Sequence, residues 1–311
     1  MRSKYMAFGF VIDSPVPMPE AFPADQGTAA DVLITEGTAG LGFPKDDLYA
    51  KAREKRLWWR GILADGRTLF NCLSGLFEIR NGNEIIMQLY PDADMEKARI
   101  FLLGSAMGAI QIQRGRIPVH GGAVMTSRGA MIITGGQGAG KSTMTSAFVH
   151  NGYKYLTDDV SSISIENGKA LIVPAYPQRK LVRDACAPLG FDPQSLILVD
   201  GDRDKLAIRD RNNWQSSKTA LSMIIVLTPE AGENAVSVEL LTGRAKLECA
   251  VQNLYRMWMH YPGGSLAPTE FKKILVIAAQ ADVYRVRVPR SIDRITSISK
   301  EIAAALEISG T

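Results

Sequence analysis

Gly135, Gly140, Lys141 and Ser142 stand at the spacing G-x-x-x-x-G-K-[ST], within the run Gly135-Gly136-Gln137-Gly138-Ala139-Gly140-Lys141-Ser142-Thr143. That spacing is the pattern of a phosphate-binding loop. Its glycines let the backbone curl so that successive N–H groups converge on phosphate oxygens. A helix opening at Lys141 would add the partial positive charge of its N-terminus at the same point. Lys141 would reach the β- and γ-phosphates, and the Ser142 hydroxyl would ligate Mg²⁺. The residues therefore point to a nucleoside triphosphate with magnesium, ATP or GTP being left open, held by positions 135 to 143.

Two further groups bear on that loop. Asp158 and Asp159 form an acidic pair directly after a short strand pattern ending at Thr157. Paired carboxylates beside an anionic ligand have two uses: as ligands of a shared metal, Ser142 being the third, or as the base for an attacking hydroxyl. A solvated turn is the alternative. His120 precedes Gly121-Gly122 in a second strand pattern. It is either structural or an acid, base or orienting group.

The elements that must position these groups follow from apolar patterning. Met131 to Thr134 reads as a buried strand entering the loop, and Ser142 to His150 as a helix stopped by Asn151-Gly152. If Ser127-Arg128 is a two-residue hairpin turn, Thr126 lies opposite Gly129, and His120 falls opposite Gly135. A strand–helix–strand unit is right-handed with parallel strands, which brings Asp158 and Asp159 to the carboxyl end beside the loop.

Residues 1–92 read differently. Tyr5 to Ile12 and Asp31 to Thr35 read as strands, followed by a meander over Arg67 to Asn71, Leu76 to Arg80 and Glu84 to Tyr90. Asn81-Gly82 marks a tight hairpin within it. Trp58 and Trp59, beside Arg56 and Arg60, are expected to bury their rings in an edge-strand pair rather than form an aromatic–basic patch. Asp94 caps a long buried helix over Met95 to Arg114. This divides the chain into a β-rich N-terminal domain, 1–92, and an α/β domain, 93–311. Further on, Val160 to Ile165 and Ala170 to Val173 form a hairpin about Asn167-Gly168. Arg179, Lys180 and Arg183 follow in a segment with no assigned element. Lys205 to Arg209 and Leu221 to Thr228 read as strands. Helices over Gly243 to His260 and Thr269 to Ala281, with Val283 to Val288 as a strand between the latter and a terminal helix, complete the chain.

Composition narrows the class. The chain has 311 residues, 46% apolar and 22% charged, with a net charge of +4, which gives no reason to expect nucleic acid. Cys72, Cys186 and Cys249 are far apart, which argues against disulfides and zinc and for a reducing compartment. The N-terminus lacks a signal-peptide pattern, and the longest apolar run falls short of the ~20 residues of a membrane helix. A cytoplasmic protein is expected, with homo-oligomer formation left open.

The His120-Gly121 strand, the loop from Gly135 to Ser142 and Leu156-Thr157-Asp158-Asp159-Val160 together resemble the bacterial HPr kinase/phosphorylase-like proteins. The resemblance implies an α/β, P-loop, phosphoenolpyruvate-carboxykinase-like kinase core. Tyr5 to Phe10, Ser14 to Pro19, Phe101 to Gly115, and Leu241 to Arg244 leading to Asn253-Leu254-Tyr255-Arg256 resemble the branch of kinases found with lasso-peptide biosynthesis. That branch phosphorylates a serine of the precursor peptide. The implied roles are phosphate and Mg²⁺ binding for Lys141 and Ser142, a base among Asp158 and Asp159, and an orienting role for His120. The Glu-x-Arg-Gly element of true HPr kinases is not evident in residues 160–185, which disfavours HPr as substrate. The rival readings are an HPr-type kinase/phosphorylase and a non-catalytic nucleotide-binding regulator.

Overall fold

The computed structural model describes residues 2–42, 50–51, 54–63, 65–200, 204–230, 232, 235–261 and 265–310, with the Asp200 side chain excepted. The chain divides into two compact units, Met1–Arg116 with Arg256–Glu270, and Ile117–Tyr255 with Phe271–Thr311. The architecture is mixed α/β with several sheets.

The first unit is built on an eight-stranded sheet. Its strands are β1 (Ser3–Ala7), β2 (Phe10–Ser14), β3 (Phe22–Pro23), β4 (Val32–Glu36), β5 (Trp59–Ile62), β6 (Thr68–Cys72), β7 (Gly75–Arg80) and β8 (Glu84–Leu89), in spatial order β3-β1-β2-β4-β8-β7-β6-β5. The expected meander β6-β7-β8 is antiparallel throughout, and Asn81 and Gly82 take the positive φ its hairpin needs. The single strand expected over Tyr5 to Ile12 is instead the β1–β2 hairpin. Phe8 and Gly9 both adopt positive φ and reverse the chain there, as a two-residue hairpin turn demands. All five residues of β6 are buried, so both faces of the sheet are covered at that strand, next to the β5 edge.

Asp94 caps the following helix as expected, through its Oδ1 and the N–H of Glu96 at 2.9 Å. The helix is not continuous. α1 (Met95–Phe101) passes through a π-helical turn at Leu102–Ala106 into α2 (Met107–Gln113). Wide turns of this kind interrupt the regular hydrogen-bond ladder, and here the turn contains Gly104. The whole stretch belongs to the first unit rather than the second. Gln113 Nε2 donates to the carbonyls of Gly66 and Ile79, and Arg114 Nε to that of Gly82. The unit therefore runs to Arg116, not to residue 92. Trp58 packs on Phe70 and Phe101 with ring centroids 5.7 and 5.8 Å apart, yet keeps 41% of its surface exposed. Its ring burial is thus incomplete. Trp59 opens β5, the last strand of the sheet.

The second unit begins with β9 (Ile117–Thr126) and β10 (Gly129–Gly135), joined by the expected hairpin with Gly129 opposite Thr126. α3 (Lys141–His150) follows, and Gly152 at φ 91° closes it. Next come β11 (Tyr155–Thr157), β12 (Val160–Glu166), β13 (Lys169–Val173), β14 (Gln178–Val182), β15 (Ile197–Asp200), β16 (Lys205–Arg209), β17 (Thr219–Glu230) and β18 (Ser237–Leu241). α4 (Gly243–Gln252), α5 (Pro268–Gln280, in this unit from Phe271), β19 (Asp282–Pro289) and α6 (Ile295–Ala305) complete it. The helix expected to continue from Gly243 to His260 ends at Gln252, and Arg256 takes a left-handed φ of 48°. β10, β17 and β19 run parallel, and α3 and α6 pack on that sheet through Met144, Phe148, Ile298 and Ile302. Burial of these apolar faces is the main stabilising term of the unit. β14, β16 and β15 form a separate three-stranded sheet that the sequence pattern did not reveal.

β9 changes partner along its length. Ile117 to His120 pair with β12, whereas Gly121 to Thr126 pair with β10. β11 joins β9 on its other side at Ala123 and Val124. Since β10 and β11 are both antiparallel to β9, they are parallel to each other, with β9 between them.

Candidate functional site

The loop leaves β10 at Gly135, whose φ of 146° is open only to glycine and where a Cβ would stand 2.6 Å from the Leu227 carbonyl. Gly136, Gln137, Gly138 and Gly140 are exposed, and Ala139 is buried beneath them. Gly140 caps α3 in the left-handed region, so the first turn of that helix carries Lys141, Ser142 and Thr143. Lys141 Nζ donates to the carbonyls of Gly135 at 3.1 Å and Gly136 at 2.9 Å. Burial lowers its pKa, Asp159 opposes that, and Lys205 adds to it.

The glycines after His120 have a packing reason. A Cβ on Gly121 would meet the Ile133 carbonyl at 2.3 Å, and one on Gly122 would meet Thr145 Oγ1 at 2.2 Å. Only glycine lets β9 lie so close to β10 and to α3, and that closeness draws His120 toward the loop. The ladder of β9 and β10 ends at Thr134 opposite Gly121, one pair short of the expected His120–Gly135 pair. His120 is opposite Val160 instead, immediately after the acidic pair.

Asn253 holds this junction. Its carbonyl accepts the His120 N–H at 2.9 Å, and its Oδ1 accepts from Thr134 Oγ1 at 2.9 Å. The Tyr255 ring lies 5.7 Å from that of His120, centroid to centroid.

The chain turns at Asp158 and Asp159 between β11 and β12, and the two carboxyls have different surroundings. Asp158 is 5% exposed; its Oδ2 accepts the Lys180 N–H at 2.9 Å, and its Oδ1 is buried with no partner among the described residues. Burial pushes its pKa up to about 6, and the charge of Asp159 adds to the rise. Asp159 faces the opening, one third exposed, with Oδ1 3.5 Å from His120 Nδ1 and Oδ2 3.2 Å from Lys180 Nζ. Burial alone would raise this carboxyl too. The charges of Lys180, His120 and Lys205 outweigh burial and hold it well below the usual carboxylate range. Burial likewise disfavours the Lys180 ammonium, and Asp159, Tyr176 and Asp158 overcome it and raise its pKa.

The structure thus brings His120, Lys141, Asp158 and Asp159 into one electrostatic cluster at the loop. Lys180 is the member that motif spacing missed. It stands on β14 between Arg179 and Leu181, and only its strand register aims it at the carboxylates. The neighbouring cations go elsewhere. Arg179 is fully buried, pairs with Asp210 at 3.0 Å and covers the Tyr155 ring, so it is part of the core. Arg183 makes an exposed pair with Asp204. Among the described residues no group of three or more His, Cys, Asp or Glu is placed to hold a metal. A divalent cation would therefore need the Ser142 hydroxyl and ligand oxygens besides the acidic pair. The unpartnered Asp158 Oδ1 fits such a hard cation, or a proton.

No protein-family model matches the sequence, and no curated protein matches it. Among solved structures, the fold has a neighbour in the HPr(Ser) kinase/phosphatase from Coxiella burnetii. The identity is 13% and the TM-score 0.29, over 61% of this chain and 98% of that one. No helix among the described residues is long and apolar enough to cross a membrane.

Proposed function

We propose that the chain is an ATP- and Mg²⁺-dependent kinase that phosphorylates a serine hydroxyl of a peptide, its acceptor being the C-terminal region of a lasso-peptide precursor. The observation that carries the transfer reading is the meeting of an open glycine loop with two carboxylates of opposite character. Phosphoryl transfer needs positioning and charge neutralisation more than covalent chemistry, and these residues supply both. Support for the peptide acceptor comes from the resemblance of residues 5–19, 101–115 and 241–256 to the lasso-peptide kinases.

In this reading the loop N–H groups and Lys141 hold the β- and γ-phosphates. Ser142 and Asp158 hold Mg²⁺, whose charge offsets that of the phosphate oxygens. Asp159 is the carboxylate within reach of an acceptor, so its Oδ1 receives the serine proton, and His120 orients that oxygen. Reach decides between the two acids, since a base must first be able to touch the proton it takes. Lys180 keeps Asp159 ionised and Asp158 in place.

The test is mass spectrometry of serine-containing precursor peptides after incubation with the protein, ATP and Mg²⁺. The expected result is one phosphoryl group on a serine, lost when that serine is alanine. A protein that binds ATP but transfers nothing to any such peptide would overturn the peptide-kinase reading in favour of the regulator or the HPr-type kinase. Pyrophosphate formed from phosphopeptide and inorganic phosphate would favour the kinase/phosphorylase reading instead.

A further inference from the structure

We propose that Lys205 is the second cation of the phosphoryl subsite, contacting the terminal phosphate of the bound triphosphate from the side opposite Lys141. The inference rests on the reading of residues 135–143 as the nucleotide's seat.

Lys205 comes from the three-stranded sheet, not from the loop or from β9. It opens β16 opposite Val182, and Lys180 lies opposite Ala207. Side chains alternate along a strand, and opposite residues share a face, so Lys180, Val182, Ala207 and Lys205 rise from the same face of this sheet. Lys180 fixes where that face looks, because its ammonium is on Asp159. Lys205 is therefore the neighbouring cation on the wall that meets the acidic pair. Its charge acts on Lys141, Asp158 and Asp159 alike.

Among the described side chains, which leave out that of Asp200 opposite Lys205 on β15, ammoniums outnumber carboxylates in the cluster. Lys180 is matched by Asp159, and Lys141 is held by the loop carbonyls. The Lys205 ammonium makes no hydrogen bond or ion pair with the described side chains. Among the described side chains, three ammoniums thus face two carboxylates. Like charges at short range repel unless an anion lies between them. The space for one is present: a Cβ built on Gly136, Gly138 or Gly140 meets nothing within 4 Å. An anion seated on the loop N–H groups would have Lys141 on one side and Lys205 on the acidic side, where the transferred group must leave. A diphosphate would fill the loop without reaching Lys205.

The experiment is calorimetric titration of the full-length protein with Mg²⁺ and either ADP or the β,γ-imido analogue of ATP. Lys205→Met should weaken the analogue about tenfold or more, the scale of one hydrogen bond to a charged group, and leave ADP within about twofold. Lys205→Arg should retain most of the analogue's affinity. Lys205→Gln repeats the measurement with a polar side chain, and an unchanged thermal midpoint confirms the fold of each variant. Equal losses for both nucleotides, or none, would overturn the assignment. So would competition by inorganic phosphate alone that depends on Lys205 while the analogue does not, since the subsite would then serve free phosphate. A parent protein that binds neither nucleotide would instead sink the loop reading itself, before any substitution is made.

Discussion

One residue, Lys180, engages both members of the acidic pair, and its ammonium lies 3.2 Å from Asp159 Oδ2 with only 13% of its side chain exposed. The pair is not an exposed ion pair of negligible worth. Removing the carboxylate leaves a largely buried ammonium without its partner, which costs more than the pair itself contributes. Asp159→Asn should destabilise the protein by on the order of 2 kcal/mol at neutral pH, read by urea unfolding. Lys180→Met with Asp159→Asn should recover part of that loss.

Asp158 should respond in the opposite sense. Its folded pKa of about 6 lies above the ordinary 3.8. Between those values the folded protein keeps a proton that the unfolded chain releases, so stability falls as pH rises through that window and is level above it. The full span corresponds to at most roughly 3 kcal/mol. In EDTA, Asp158→Asn should remove the slope and be more stable than the parent at pH 7. A parent whose unfolding free energy is flat from pH 4 to 6 would contradict the burial argument.

Gly122 and Thr145 set how closely α3 lies on β9. Gly122→Ala places a Cβ 2.2 Å from Thr145 Oγ1 and should cost about 1–3 kcal/mol. Adding Thr145→Ala removes the two nearest atoms, though its hydroxyl bond to the Lys141 carbonyl is lost as well. The double-mutant cycle should give a coupling of on the order of 1 kcal/mol. Additive losses would mean that the strand shifts freely.

Lys141→Ala tests the loop. Among the described residues its ammonium bonds only loop carbonyls, so the thermal midpoint should barely change. Nucleotide affinity, measured by titration with the ATP analogue, should fall about tenfold or more.

Asn253→Ala removes one acceptor of Thr134 Oγ1, leaving the His120 carbonyl at 2.7 Å, and should cost at most about 1 kcal/mol. Because the Asn253 carbonyl also receives the His120 N–H, the lesion should appear in His120 as well. The measurement is the titration of the imidazole by NMR, parent against variant.

Local physics made much of the site legible. The spacing from Gly135 to Ser142, the turn at Ser127-Arg128 and the register that follows it depend on residues close in the chain. So do the positive-φ hairpins at Asn81-Gly82 and Asn167-Gly168. The crossover from β10 through α3 to β11 has one permitted hand, which is why Asp158 and Asp159 could be set beside the loop from sequence.

Only the tertiary structure decided the rest. The three-stranded sheet that carries Lys180 and Lys205 pairs β14 with a strand more than twenty positions on, across a segment with no patterning of its own. Asn253 meets Thr134 over 119 residues. The helical stretch after Asp94 carries no mark of the unit it joins, since side-chain bonds from Gln113 and Arg114 back to Gly66, Ile79 and Gly82 settle that. The unequal acidities of two adjacent aspartates are likewise invisible in the dipeptide. Burial and a lysine two strands away create them, and both exist only once the chain is folded.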